Sequence, residues 1–162
     1  NLPLEVCETI NGSWGFNLKD RKHKSEKELV QYLVKAAGYG SNLLLNVGPM
    51  PNGKIQDEHI ESLKKIGKWV KQNGQTIYNT KRGPISPSDE IASTQDGNIV
   101  YIHLLDNNKS EYFIEGFKSK FKNISYLDSN KKVSYKKTKT GLHLILDKKE
   151  INSIDTILIM EL

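Results

Sequence analysis

The sequence predicts a chain in two parts, an α/β segment followed by an all-β one, on three observations. Leu43-Leu44-Leu45-Asn46-Val47 is a short apolar run, broken only by Asn46, that ends in a Gly48-Pro49 turn. A run this short and this apolar is expected to be a strand buried on both faces. Helical patterns flank it at about 25–38 and 56–73. Helix, buried strand, helix is the order of an α/β layer with a parallel sheet. Residues 89–162 then lose the helical period and alternate in short β-branched segments divided by turn residues, the pattern of a small antiparallel sandwich.

Each element has its own local reason. Residues 1–17 make an irregular or short-strand opening, with turn chemistry at Asn11-Gly12-Ser13. Trp14 and Phe16 flank Gly15 and point the same way from an extended backbone. Residues 18–24 are a charged surface loop. Ser25 and Glu28 form a capping box for the first helix. Its apolar face holds Leu29, Leu33, Ala36 and Ala37, with Val30 and Val34 beside them, and Gly38 and Gly40 are expected to end it. The second helix opens on Gln56-Asp57-Glu58, whose acids suit the helix dipole. Ile60, Leu63, Ile66 and Val70 form its stripe, Trp69 is core beside it, and Asn73-Gly74 is the stop. Residues 81–88, with two prolines, a glycine and two serines, are the best linker in the chain. Strands are expected at 91–94, 98–105, 111–117, 123–127, 133–137, 142–146 and 154–162, with a hairpin at Asp96-Gly97. The aromatics Tyr101, Tyr112, Phe113, Phe117 and Tyr126 alternate as sandwich core.

Composition narrows the function. The length of 162 residues suits one medium domain or two small ones. The formal charge of +5 divides evenly: 11 basic against 8 acidic residues in 1–80, and 13 against 11 in 81–162, leaving +3 and +2. That is too even for a nucleic-acid face. The eight lysines of 118–139 are read as a solvated face that guards edge strands. No run approaches the roughly 18–20 apolar residues of a membrane span, and no signal-peptide pattern is present. The opening on Asn1 rather than Met suggests a mature piece or a fragment. A single cysteine, Cys7, allows no internal disulfide and is expected to be a small buried side chain. Of the four histidines, His103 and His143 lie in separate strands that could meet, but two ligands without a third make no metal site.

The first half shows two helices and one or two parallel-type strands, whose bare edges need neighbours. A doubly wound domain or a (β/α)₈ barrel needs more strands than these. Residues 1–80 are therefore expected to be the closing segment of a larger α/β domain.

Four blocks carry a resemblance to a known family. They are Leu4-Glu5-Val6-Cys7 with Asn11-Gly12-Ser13-Trp14-Gly15-Phe16, then the Glu-rich helix, then Asn42-Leu43-Leu44-Leu45-Asn46-Val47-Gly48-Pro49, then Ile66-Gly67-Lys68-Trp69 with Asn73-Gly74 and Ile77-Tyr78. In this order they resemble the last third of an α-L-fucosidase of glycoside hydrolase family 29, densely over residues 1–82 and by position beyond. The resemblance implies that 1–82 close a catalytic (β/α)₈-like barrel and that 83–162 form a C-terminal β-sandwich. It implies retaining hydrolysis of terminal α-L-fucosyl residues, with no cofactor and no nucleic acid. The partners it implies are a fucosylated glycan or glycoconjugate substrate and the N-terminal remainder of the catalytic domain. The compartment it implies is exported (periplasmic or extracellular) or lysosomal.

Retaining chemistry uses one carboxylate as nucleophile and a second as acid, then base. The family's nucleophile is an Asp on an earlier strand, and nothing here matches it. Glu5 matches the Glu of the family's Trp-Glu pair, although Leu4 stands where Trp is common. It is the candidate general acid/base, with Leu4, Val6 and Cys7 as an apolar setting that would raise its pKa. A structural or solvated carboxylate is the alternative, and Glu8 is a weaker candidate. Trp14 resembles the aromatic that lines the fucose pocket, where it would cover the apolar face and methyl of a 6-deoxy sugar. Ordinary core is the alternative. Asn46, at a strand's carboxyl end, is expected to tie that end to a neighbouring loop. A carbohydrate-binding or structural sandwich without catalysis is the competing function.

Overall fold

The fold was obtained as a computed structural model that describes residues 3–162. Its opening unit is β1 (Leu4–Thr9), α1 (Glu26–Tyr39) and β2 (Ser41–Asn46). The two strands are parallel, with Leu4 opposite Ser41 and Thr9 opposite Asn46. The capping box is present: the Glu28 N–H donates to Ser25 Oγ at 3.2 Å, and the Ser25 N–H donates to Glu28 Oε2 at 2.7 Å. Gly40, at φ 73°, ends α1 in the left-handed conformation that glycine takes without strain. Gly38 does not end the helix. It lies buried inside α1, where the missing side chain lets Pro87 and Ala92 approach.

The expectation of a strand buried on both faces is corrected. α1 packs on β2 on one face of the pair, where Leu4 and Val6 of β1 stay exposed, and the other face carries Glu5, Cys7, Asn42 and Leu44, all exposed. A strand is buried on both faces only when a layer lies on each side of its sheet; the β1–β2 sheet has two strands, and the described residues supply a layer on one side. Cys7 is exposed for the same reason, contrary to the buried site expected of it.

The second helix, α2 (Asp57–Asn73), buries His59 and Trp69 rather than the expected stripe. Ile60, Ile66 and Val70 are half-buried and Leu63 is exposed. The contact is turned toward Trp69 because its large ring reaches across to the following sheet. Residues 81–88 are likewise not a free tether. β3 (Lys81–Arg82) pairs with β4 (Ile91–Asp96), and Ile85 and Pro87 between them are buried. The Ile85 N–H donates to Ser93 Oγ at 2.9 Å, and that hydroxyl donates to the Ile85 carbonyl at 2.9 Å.

All seven expected strands form. After β4 come β5 (Ile99–Leu104), β6 (Glu111–Glu115), β7 (Asn123–Tyr126), β8 (Ser134–Lys137), β9 (Gly141–Ile145) and β10 (Thr156–Glu161). One antiparallel sheet runs β3-β4-β5-β10-β7 and the other β6-β9-β8. The β4–β5 hairpin turns on Gly97-Asn98, one residue later than expected, with Asp96 opposite Ile99.

Alternation along β5 divides the core. Val100, Ile102 and Leu104 pack between the sheets against Ile114, Leu142, Leu144, Leu158 and Met160. Tyr101 faces outward with Ala92 and Ile157, where Val30 and Val34 of α1 and Trp69 of α2 cover them. Burying one such aliphatic side chain is worth about 1.5–3 kcal/mol, so this second cluster binds the helices to the sandwich. Two aromatics depart from the expected sandwich core: Tyr101, which lies on the helix side, and Phe113. Its neighbours Tyr112 and Ile114 point inward, and strand parity turns Phe113 out to solvent. Among the described residues no barrel closes, and no helix is long and apolar enough to cross a membrane.

Candidate functional site

β1 and β2 end side by side, and the loops that leave them meet. The loop after β1 is held at its base by Lys24. Its ammonium donates to the carbonyls of Thr9 (2.8 Å) and Asn11 (3.2 Å) and pairs with Glu8 at 3.1 Å. The Lys24 N–H closes the loop on the Ile10 carbonyl at 2.7 Å. Further out, Asp20 accepts from the Gly12 N–H at 2.9 Å and from Ser13 Oγ at 2.8 Å. The Ser13 hydroxyl, then the Gly12 amide, hold the Asp20 carboxyl below its ordinary value. Burial opposes ionisation of Glu8, but the Thr9 amide and the Lys24 ammonium outweigh it and lower its pKa.

Trp14 sits at the tip of this loop with 60% of its surface exposed. Asn46, the last residue of β2, donates from Nδ2 to the Trp14 carbonyl at 2.7 Å. Gly48 then passes directly beneath the loop. A Cβ built on it would stand 2.5 Å from Gly15 C, 2.7 Å from Phe16 N and 2.8 Å from Gly15 O. The backbone of residues 13–16 is thus held on several sides while the indole is free to meet a ligand. An aromatic face displayed in this way suits the apolar face of a sugar ring.

The structure brings Trp14 and Asn46 together and leaves Glu5 apart. Glu5 is the second residue of β1 and Thr9 the last; four residues at about 3.3 Å each set Glu5 roughly 13 Å back along the strand. Its side chain is exposed, as are Leu4, Val6 and Cys7, so the described residues build no apolar setting around it. Glu8 is engaged by Lys24. His103 and His143 do not meet: His103 Nδ1 lies 2.6 Å from Asp155 Oδ2 in the core, and His143 Nε2 lies 3.2 Å from Glu111. Among the described residues no group of three or more His, Cys, Asp or Glu is placed to hold a metal.

One pair escaped the sequence reading. His23 and His59 meet edge to face, with ring centroids 5.2 Å apart. His59 is 1% exposed and both its ring nitrogens lack partners among the described residues. Burial, then the neighbouring His23, lowers its pKa. The available signal was only a histidine at the third position of α2, in a turn that otherwise looks polar.

Residues 1–75 match the sequence model of the family described as alpha-L-fucosidase. The plasma alpha-L-fucosidase of Homo sapiens is 39% identical over 79 residues, covering 47% of this chain and 17% of that protein. Among solved structures, alpha-L-fucosidase isoenzyme 1 from Paenibacillus thiaminolyticus superposes with a TM-score of 0.84 at 28% identity, over 99% of this chain and 40% of that one. The Thermotoga maritima alpha-fucosidase, in complex with a mechanism-based inhibitor, gives 0.85 at 28% identity over 98% and 39%. The chain therefore spans a minor part of the length of these relatives. The family model ends with α2, whereas the structural likeness runs on through the sandwich.

Proposed function

We propose that this chain is the C-terminal part of an enzyme of the α-L-fucosidase family, whose sequence model its residues 1–75 match, and that the whole protein is a glycoside hydrolase releasing terminal α-L-fucosyl residues from glycans or glycoconjugates. Residues 1–82 serve as the closing segment of a (β/α)₈-like catalytic barrel, and residues 83–162 as its C-terminal sandwich. What supports this is the parallel β1–α1–β2 unit, whose strands each keep one bare edge and whose uncovered face would line the barrel interior.

Active sites of such barrels lie at the carboxyl ends of the strands. Trp14, displayed there on a braced loop, is the observation that carries the assignment. Its indole covers the apolar face of the fucosyl ring and its methyl. The reaction is a retaining double displacement, with two carboxylates about 5–5.5 Å apart. Glu5 lies toward the amino end of β1, away from the Trp14 loop. We therefore assign the acid/base, like the nucleophile, to carboxylates outside these 162 residues, and give Glu5 a structural place in the barrel's interior layer.

The test is hydrolysis of an aryl α-L-fucoside by the complete protein. Trp14→Ala is expected to raise KM on the order of tenfold, the worth of a lost aromatic contact. Glu5→Gln is expected to keep kcat within a few-fold. Cleavage of another aryl glycoside but not the fucoside would overturn the substrate, and a loss of about a thousandfold in kcat for Glu5→Gln would restore it as the general acid.

A further inference from the structure

We propose that Asn46 is a positioning residue, with Gly48 as its counterpart, and that the pair sets the place of the Trp14 indole; this rests on the assignment of Trp14 to the sugar pocket. The Trp14 carbonyl can only accept a hydrogen bond, so the amide nitrogen of Asn46 is the atom that must face it, at 2.7 Å. The amide is half-buried at the last register position of β2, opposite Thr9. A strand end is a rigid mount, and its neighbour in the sheet is the strand from which the Trp14 loop departs. The second anchor is steric. The atoms nearest a Cβ on Gly48 are all backbone, in Gly15 and Phe16, and cannot swing aside as a side-chain tip can. Ser13, held by Asp20, completes the brace on the other side of Trp14.

No part of this brace touches the indole itself. The consequence is pre-organisation: a ligand meets an aromatic surface whose backbone is already ordered, so less freedom is lost on binding. Asn46 is well suited to this work. Aspartate has nearly the same shape but would set a carboxylate against the Trp14 carbonyl, with no donor between them.

The experiment uses the complete protein with an aryl α-L-fucoside and the variants Asn46→Ala, Asn46→Asp and Trp14→Ala, singly and combined. Each Asn46 variant is expected to raise KM on the order of tenfold, with a smaller effect on kcat, as a misplacement of the contact surface would. In the Trp14→Ala background the same substitutions should add less than about twofold, because a residue that acts through Trp14 has nothing left to position. Effects that multiply independently would overturn the positioning role. If Trp14→Ala alone leaves KM unchanged, the pocket assignment fails instead, and a second measurement then decides for Asn46. Trp14 and Trp69 are the two tryptophans of this chain, and Trp69 is buried. In the complete protein labelled with 5-fluorotryptophan, the 19F resonance that disappears in Trp14→Phe is that of Trp14. Asn46→Ala and Gly48→Ala should each narrow that resonance and shift it toward the position of free 5-fluorotryptophan by freeing the loop, with far-UV circular dichroism unchanged. An unmoved resonance in both variants would refute the inference.

Discussion

Ser93→Ala is the sharpest test of how the two halves are joined. Ser93 lies on β4, fully buried, and its hydroxyl both accepts from the Ile85 N–H and donates to the Ile85 carbonyl, each at 2.9 Å. Alanine removes both bonds and leaves two backbone groups beside a residue that is 5% exposed. A buried polar group left without a partner costs about 1–3 kcal/mol, so the pair should cost roughly 2–4 kcal/mol, allowing for partial relaxation. For a chain of this size that is roughly a 4–16 °C fall in melting temperature. Urea unfolding followed by near- and far-UV circular dichroism measures it, with coincident transitions as the check on two-state behaviour. Ser86→Ala is the control, since Ser86 is exposed and only accepts from Arg82 at 3.3 Å; it should stay within about 0.5 kcal/mol. A loss below about 1 kcal/mol for Ser93→Ala would mean that residues 83–88 are a tether after all.

Two glycines in helices should respond to alanine with opposite signs. Gly67 in α2 has nothing within 4 Å of an added Cβ, so Gly67→Ala should stabilise by up to about 1 kcal/mol. Gly38 in α1 would bring its Cβ to 2.9 Å from Pro87 Cγ and 3.2 Å from Ala92 Cβ. There the overpacking cost of about 1–3 kcal/mol exceeds the helix gain of about 1 kcal/mol, and urea midpoints should show a net loss. The stability of the chain should also fall on mild acidification. His59 is neutral in the fold with its pKa held below 6.5 by burial and by His23, against weaker opposing pulls from Glu58 and Asp20. The unfolded chain therefore binds the proton first, and stability drops as pH falls through about 6.5 toward the lower folded value. His59→Met should flatten the urea midpoint between about pH 7 and pH 5.5; an equal acid loss in both proteins would sink this assignment.

Much of this architecture was legible in residue order. The capping box at Ser25 and Glu28, the short apolar run of β2 and seven β segments divided by turn residues all follow from local geometry. Helix caps, two-residue alternation and turn chemistry act over a few residues, so a single sequence displays them. Errors arose where a residue's fate depends on what packs against it from far along the chain. Gly38 looks like a helix stop until Pro87 and Ala92 come to lie on it. Leu44 looks buried until the count of layers leaves one face open. The Gly-Pro-Ser run looks like a linker until Ser93 takes both backbone groups of Ile85.

The site divides along the same line. Which residue types are present, an aromatic between turn residues and an amide at a strand end, was set by order alone. That Asn46 reaches the Trp14 carbonyl, that Gly48 lies under Gly15, and that Glu5 stands apart from both was decided in three dimensions. The parallel register of β1 and β2 makes the difference. It brings their carboxyl ends together across the 36 residues between Thr9 and Asn46, and sequence distance carries no trace of a contact made by strand pairing.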